Sequence, residues 1–348
     1  LAGTVVHLAV ETATKEFARA GFYSPRSPGA VAVMKKLGGY SALLGQCIDR
    51  VLNYYADNPR TKHLIENARQ KLRSEVPEMR MQVQKFLGSL RLESVPPIAT
   101  ASKRTSGDQV RSPLGPGAYP EIVLKAATIS WMGKVDLLTI SDSSCEIIDF
   151  KTGVPSDQHT FQLRVYALLW SRDKELNPSA RKIDKLTVVY RSNQVAVDVP
   201  FSAELDKIDS EIVSRTIKVR VAAEGHPPEA RPSTETCRFC SVRQLCKEYW
   251  QADIQQRIGG ESTNLLKYID VEMVITDRHG PMSWDGVVVT ATRCTSGTRI
   301  VLRATNPSVE FRAGDRLRVL DAHLAMPEHE SDPSTVTMGV FSEVFKEG

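Results

Sequence analysis

Apolar positions along the chain predict a helical first third, a mixed middle and a β-rich end. Residues 1–20 have helical spacing, with one apolar side formed by Val6, Ala9, Val10, Ala13 and Phe17. Residues 40–59 and 61–90 also have helical periodicity. Residues 94–120 are rich in Pro, Gly and Ser, which predicts a loop or linker.

Strand signals dominate after residue 120. Apolar runs typical of strands occupy residues 121–131, 133–140, 145–152 and 185–191, and helical spacing occupies residues 161–176 and 202–224. This mixture predicts an α/β or α+β core. From about residue 264, short strands separated by turn residues predict a small β-barrel or sandwich. The chain has no G-x-x-x-x-G-K-[ST] loop, so it carries no recognisable P-loop ATPase.

One run that predicts a buried strand contains two opposite charges. It is Ile147-Ile148-Asp149-Phe150-Lys151, and side chains two positions apart on a strand point to the same face. Asp149 and Lys151 are therefore expected to be neighbours. Charges in such a place are costly unless they are paired, hydrated or bound to a metal. The pattern indicates either a structural ion pair at a strand end or a chemical site.

A polar turn predicts which acid lies opposite Asp149. Residues 141–144 separate two apolar runs and predict a hairpin. With the two central residues at its tip, Ile140 pairs with Cys145 and Asp136 lies opposite Asp149, with Cβ atoms about 4.5–5.5 Å apart. Two carboxylates this close repel unless one is protonated or a cation binds. Oxygen ligands of this kind suit Mg²⁺ or Mn²⁺.

Formal charge is unevenly distributed along the chain. Residues 1–113 hold 17 Lys and Arg against 9 Asp and Glu, residues 114–259 hold 19 of each, and residues 260–348 hold 9 against 13. A basic first third fits a polyanionic partner such as nucleic acid. A well-solvated helical surface is the alternative interpretation.

Composition is that of an ordinary globular protein, 41% hydrophobic and 25% charged, and 348 residues leave room for two domains. No segment has the length and apolar content of a transmembrane helix, and the N-terminus has no signal pattern, so we expect a cytoplasmic protein without a membrane partner. Cys237, Cys240 and Cys246 lie within ten residues. Such clustering indicates metal ligands rather than disulfides.

Two acidic motifs in the middle of the chain resemble the PD-(D/E)XK nuclease superfamily, specifically its RecB-type branch. Gly133-Lys134-Val135-Asp136 resembles the element that carries the first acid of the family. Asp149-Phe150-Lys151 resembles its acid-x-Lys motif.

Two helical motifs extend the resemblance. Gln162 and Tyr166 resemble the Gln-x-x-x-Tyr motif of the helix that follows, and a spacing of four places them on one helical face. Gly3 and His7 resemble an early Gly-x-x-x-His helix. The resemblance covers roughly residues 1–20 and 121–250.

The resemblance implies metal-dependent hydrolysis of DNA phosphodiesters. The implied ligands of one or two Mg²⁺ or Mn²⁺ ions are His7, Asp136, Asp149 and the backbone carbonyl of Phe150. Lys151 is implied to position or help deprotonate the attacking water. Gln162 and Tyr166 are implied to contact substrate or support the metal site, and Glu121 is a weaker candidate for an outer acid.

The resemblance also implies a metal role for the cysteine cluster. The branch has three cysteines after the nuclease core and a fourth cysteine upstream of the early histidine. Together the four cysteines bind a 4Fe–4S cluster, which connects the end of the fold to its beginning. Cys237, Cys240 and Cys246 match the trio, with Zn²⁺ as the alternative metal. No cysteine precedes His7, so we expect the fourth ligand upstream of Leu1. Substitution by Cys47 and a three-cysteine site are the alternatives.

The overall prediction is a restriction-endonuclease-like α/β fold, in which a mixed sheet is flanked by helices. Residues 1–20 and 114–258 are expected to form the nuclease core, residues 21–113 a basic helical insert and residues 259–348 a small C-terminal β-barrel. The insert is expected to bind DNA or to dock a partner subunit. The barrel is expected to grip single strands or to dock a protein.

The predicted function is that of a metal-dependent DNA nuclease, an exonuclease acting on single-stranded or unwound DNA. A helicase or ATPase partner and a role in DNA repair or phage defence are expected with it. A catalytically silent subunit that binds DNA ends is the first alternative. A zinc-binding interaction protein with a structural Asp/Lys cluster is the second.

Overall fold

The structure is a computed structural model that describes residues 1–21, 28–89, 111–237, 239–251, 267–305, 309–327, 329 and 332–347. Most of the predicted linker lies outside the described residues. The chain packs into two compact units, Leu1–Lys218 and Val219–Gly348, while the domain boundaries drawn from the sequence stay a prediction. Within the described ranges, no helix is long and apolar enough to cross a membrane.

Helices open the first unit. They are α1 (Ala2–Arg19), α2 (Pro28–Lys36), α3 (Gly39–Ala56), α4 (Ile65–Ser74) and α5 (Val76–Ser89). The sequence predicted one helix over residues 61–90, and this was wrong because the helix is interrupted at Glu75. Pro77 explains the interruption, since it lacks an N–H and its ring would clash with the carbonyl of Arg73 in a continuous helix. A new helix places Pro77 in its first turn, where no N–H is needed.

A five-stranded mixed sheet follows, as predicted. Its elements are β1 (Gly117–Ala126), β2 (Trp131–Ile140), β3 (Cys145–Lys151), α6 (Asp157–Arg172), β4 (Lys185–Tyr190), β5 (Gln194–Val197) and the flanking α7 (Ser202–Glu224). The strands lie in the order β1-β2-β3-β4-β5. Neighbours are antiparallel except β3 and β4, which are parallel. Helix α6 makes the crossover that a parallel pair requires.

Helices cover both faces of this sheet. Leu137, Ile148 and Phe150 pack with α1, α3 and α5 on one face. Leu138 and Ile147 pack with α6 and α7 on the other. Side chains alternate between the two faces along each strand, so one sheet contributes to a hydrophobic core on each face. This arrangement confirms the α/β prediction.

The second unit contains a small closed barrel, also as predicted. The elements of this unit are the short helix α8 (Thr234–Cys237) and the strands β6 (Tyr268–Gly280), β7 (Ser283–Ala291), β8 (Arg299–Ala304), β9 (Arg316–Ala325), β10 (Ser334–Met338) and β11 (Glu343–Lys346). The hydrogen-bonded order is β10-β8-β7-β6-β9, and β10 also pairs with β9, which closes the ring. Strand β11 adds to the outside of β9.

Candidate active site

The β2–β3 hairpin brings Asp136 and Asp149 to the same place. Ile140 pairs with Cys145 and Leu137 with Ile148, as the predicted register requires. One step further, the Phe150 N–H donates to Asp136 Oδ2 at 2.7 Å. The side chain of Asp136 thus lies against the backbone of the acid-x-Lys motif.

Both carboxyl groups are held in an environment that disfavours their charge. Asp149 is 1% exposed, and burial raises its pKa, an effect that Lys151 opposes. Burial and then the charge of Asp149 raise the pKa of Asp136 to about 7. The buried Asp149 and the partly buried Asp136, whose side chain is 19% exposed, therefore form a site with a demand for positive charge.

Lys151 meets that demand in part. Its Nζ lies 2.8 Å from Asp149 Oδ2, as expected for side chains two apart on one strand. The same oxygen is buried, and the Lys151 ammonium is the donor beside it among the residues that the structure describes. A carboxylate oxygen can accept from more than one partner, so this atom can also coordinate a cation.

Helix α1 brings His7 to the carboxylates. Its Nδ1 lies 3.8 Å from Asp136 Oδ2. Burial and then the charge of Lys151 lower the pKa of His7, which favours the neutral imidazole that binds metals. Gly3 permits the approach of α1, because a Cβ there would lie 2.6 Å from Thr152 Oγ1, just beyond β3.

Helix α6 brings the remaining two predicted residues. Gln162 Nε2 donates to the Tyr166 hydroxyl at 2.6 Å. Burial raises the pKa of Tyr166 to about 12, and Asp149 and Asp136 add to the effect, so the phenol is protonated beside the acids. Gly133 allows this packing, since a Cβ there would lie 2.9 Å from Tyr166 Cε1 and 2.7 Å from Leu169 Cδ1.

Three charged side chains near Asp136, those of Glu121, Lys134 and Glu11, form a further cluster. Of the three, the sequence indicated only Glu121 as a site residue. Glu121 has φ +57°, and its neighbours Pro120 and Ile122 pair with Leu137 and Val135 on either side of Asp136. Lys134 forms ion pairs with Glu121 and with Glu11 of α1. Glu11 follows His7 by four residues, a helical spacing that could have revealed it.

His159 and Tyr190 were also missed. His159 lies in the first turn of α6, and Tyr190 ends β4 beside Lys151. Their side chains are hydrogen-bonded. The contact joins segments 31 residues apart, so no local pattern indicates it.

The three clustered cysteines lie in the second unit. Cys237 is buried, whereas Cys240 and Cys246 are partly exposed, and Cys246 Sγ donates to Glu248 at 3.4 Å. The segment is anchored on the barrel by Arg243, whose Nε donates to Asp270 Oδ2 at 2.8 Å. Tyr249 donates to the same oxygen at 2.5 Å.

Sequence comparison assigns the family. A sequence model of the PD-(D/E)XK nuclease superfamily matches residues 1–247, well over half of the chain. The chain belongs to this superfamily. Its members are generally metal-dependent nucleases, and the predicted superfamily is therefore confirmed. The RecB-type branch stays a prediction.

Solved structures show distant similarity. The protein SSO0001 is 15% identical, with 37% of this chain and 60% of that chain covered and a TM-score of 0.22. This chain thus spans less than two thirds of that protein. The p204 HINb domain is 11% identical, with 67% and 97% covered and a TM-score of 0.20. At these TM-scores the superpositions define no shared architecture, and no curated protein matches the chain significantly.

The residues at the hairpin fit the divalent ions that the superfamily uses. Among the described residues, no three His, Cys, Asp or Glu side chains already form a metal-binding group. The chemistry of the donors is nevertheless suitable, because Asp136 and Asp149 are neighbouring carboxyl groups with raised pKa values, and Lys151 compensates only part of their charge. Mg²⁺ or Mn²⁺ would relieve both penalties.

We expect Asp136→Asn to flatten the pH dependence of stability in EDTA. The pKa of Asp136 rises from 3.8 to about 7 on folding, so its stabilising contribution is full below 3.8 and is lost as pH rises through about 7. Urea unfolding should show wild-type stability falling by a few kcal/mol over this window, with a smaller fall in the variant. Asp142→Asn, at the exposed hairpin tip, is the control. Equal slopes in wild type and Asp136→Asn would contradict the electrostatic account.

Proposed function

We propose that this protein is a divalent-metal-dependent deoxyribonuclease of the RecB-type branch. The observation that carries the proposal is the neighbouring pair Asp136 and Asp149, two acids with raised pKa values, with the Lys151 ammonium in contact with Asp149. A structural ion cluster would balance the charges that it removes from water. An acidic pair with one ammonium against it suits a site whose further cation arrives from outside.

The roles of the residues follow from their positions. The proposed metal ligands are His7, Asp136, Asp149 and the backbone carbonyl of Phe150. A metal bound there would activate water and neutralise the phosphate. Lys151, held against Asp149, orients the attacking water and offers positive charge to the developing pentavalent phosphate. Tyr166 remains protonated and, with Gln162, contacts the substrate strand.

We propose DNA as the substrate and the helices of residues 21–113 as its backbone-binding surface. Among the described residues of this region, the exposed cations are Lys35, Lys36, Arg50, Lys62, Lys71, Arg73, Arg80 and Lys85. Phosphate neutralisation by such side chains supplies sequence-independent affinity. The proposal includes exonucleolytic cutting of single-stranded or unwound DNA. A helicase or ATPase partner would supply the unwound DNA, and the reaction would serve DNA repair or phage defence.

Cleavage of end-labelled single- and double-stranded DNA with Mg²⁺ or Mn²⁺ tests the proposal. Asp149→Ala and Lys151→Ala should each lose about 100-fold or more in rate, because each removes a charge at the reacting phosphate. Asp142→Ala and Lys185→Ala, which alter an exposed acid and an exposed lysine of the same sheet, should cut normally. No cutting by folded, metal-supplied wild type would contradict the enzyme and favour a DNA-end-binding subunit.

We also propose that Cys237, Cys240 and Cys246 ligate a 4Fe–4S cluster, with Zn²⁺ as the alternative. The described positions do not gather the three thiols, so the support is their spacing in a segment anchored by Arg243. Cys47 is a poor candidate for the fourth ligand, because it packs in the helical core and burial raises the pKa of its thiol to about 11.

Metal analysis and visible absorbance of anaerobically purified protein distinguish the metals. We expect iron, acid-labile sulfide and a brown colour, all lost in Cys240→Ser because the variant lacks one thiolate ligand. Cys294→Ser, in the barrel unit but outside the cluster, should retain them. Stoichiometric zinc would select the alternative. Protein with neither metal, including a form extended upstream, would refute both.

A further inference from the structure

His159 lies beside the acid-x-Lys motif and is fixed by a contact across the sheet. Its Nδ1 is 2.9 Å from the Tyr190 hydroxyl, and the two rings are 5.6 Å apart. Tyr190 pairs with Lys151 in the β3–β4 ladder, so the two side chains point to the same face. The imidazole therefore lies at the edge of the proposed active site, where the charges of Lys151 and Asp149 act on it.

The contact determines which ring nitrogen carries the hydrogen. Tyr190 is 4% exposed, and a buried phenol needs an acceptor for its O–H. Among the described residues, His159 is the partner of this hydroxyl. Burial and then the charge of Lys151 lower the pKa of His159, which favours the neutral ring. A neutral imidazole that accepts at Nδ1 carries its hydrogen on Nε2.

That Nε2–H is available to a ligand. His159 is partly exposed, and no side chain or carbonyl in the described ranges is hydrogen-bonded to its Nε2. The residue also lies in the first turn of the 16-residue helix α6, where the helix dipole favours an anion. The backbone N–H groups of Gln158 and His159 already donate to Ser156, so the donor proposed here is the imidazole Nε2–H. A donor, a helix N-terminus and the Lys151 ammonium together make an environment for a phosphate oxygen.

We propose that His159 binds the substrate strand, with its Nε2–H, oriented by Tyr190, donating a hydrogen bond to a phosphate oxygen next to the cleaved bond. The inference rests on the proposed nuclease function. It adds a substrate contact beyond the acids, Lys151 and the Gln162–Tyr166 pair. Tyr190 acts through His159 and is a positioning residue.

Backbone-neutralised DNA tests this contact directly. Single methylphosphonates are placed in turn along a single-stranded oligonucleotide, and binding to the full chain is measured by fluorescence anisotropy in Ca²⁺. In wild type, a methylphosphonate at one position of the oligonucleotide should weaken binding about tenfold, as expected for loss of one hydrogen bond to a charged group. In His159→Ala the same methylphosphonate should cost less than about twofold.

Further variants separate substrate contact from folding. Interference here is the loss of DNA binding caused by the methylphosphonate at that one position. His159→Gln keeps an N–H donor and should restore part of the interference. Tyr190→Phe should weaken the interference, because the His159 ring loses the contact that orients it. His226→Ala, an exposed histidine that follows α7 and lies outside the barrel strands, should behave as wild type. If His159→Ala unfolds because it strands the Tyr190 hydroxyl, the double variant with Tyr190→Phe removes that hydroxyl and takes its place.

Each outcome decides between the proposals. The same interference in wild type and His159→Ala overturns the His159 contact, and so does a wild type insensitive to every methylphosphonate. A His159-dependent interference in a wild type that cuts no DNA with Mn²⁺ supports the contact and removes the nuclease proposal. Interference together with metal-dependent cutting supports both.

Discussion

Removal of two neighbouring carboxyl groups from water, partial for Asp136 and nearly complete for Asp149, is the constraint on which the site depends. Burial raises the pKa of both groups, and the charge of Asp149 raises the pKa of Asp136 further. Lys151 contacts Asp149 and offsets part of this charge. Such an arrangement costs stability in the metal-free protein. It becomes favourable when a divalent cation binds, which links the folding energetics to the chemistry expected of the superfamily.

The surrounding fold holds this pair in place through close approaches. The hairpin register pairs Leu137 with Ile148 and so brings the next residue of each strand, Asp136 and Asp149, to the same end of the hairpin. Gly3 lets α1 reach the end of β3 with His7, and Gly133 lets α6 lie on β2 with Tyr166. Helices from both sides of the sheet therefore converge on one hairpin. The motif glycines serve this packing, since a Cβ at either position would meet a side chain at less than 3 Å.

Sequence patterns predicted the elements whose geometry is local. A strand period of two and a two-residue tip were enough to place Asp136 opposite Asp149, and a helical period of four placed Gln162 with Tyr166. Glu121 was harder to place because its positive φ breaks strand alternation. The His159–Tyr190 contact was not predictable, since it depends on how α6 crosses the sheet. The interruption at Glu75 could have been predicted from Pro77.

Binding of Mn²⁺ by the isolated chain tests the central claim most directly. Electron paramagnetic resonance of free Mn²⁺, titrated with protein at about pH 8, above the pKa of Asp136, measures binding without requiring DNA or cleavage. The account predicts one or two bound ions per chain in wild type and in Asp142→Asn, and loss of tight binding in Asp149→Asn. Equal Mn²⁺ binding by wild type and Asp149→Asn would contradict it.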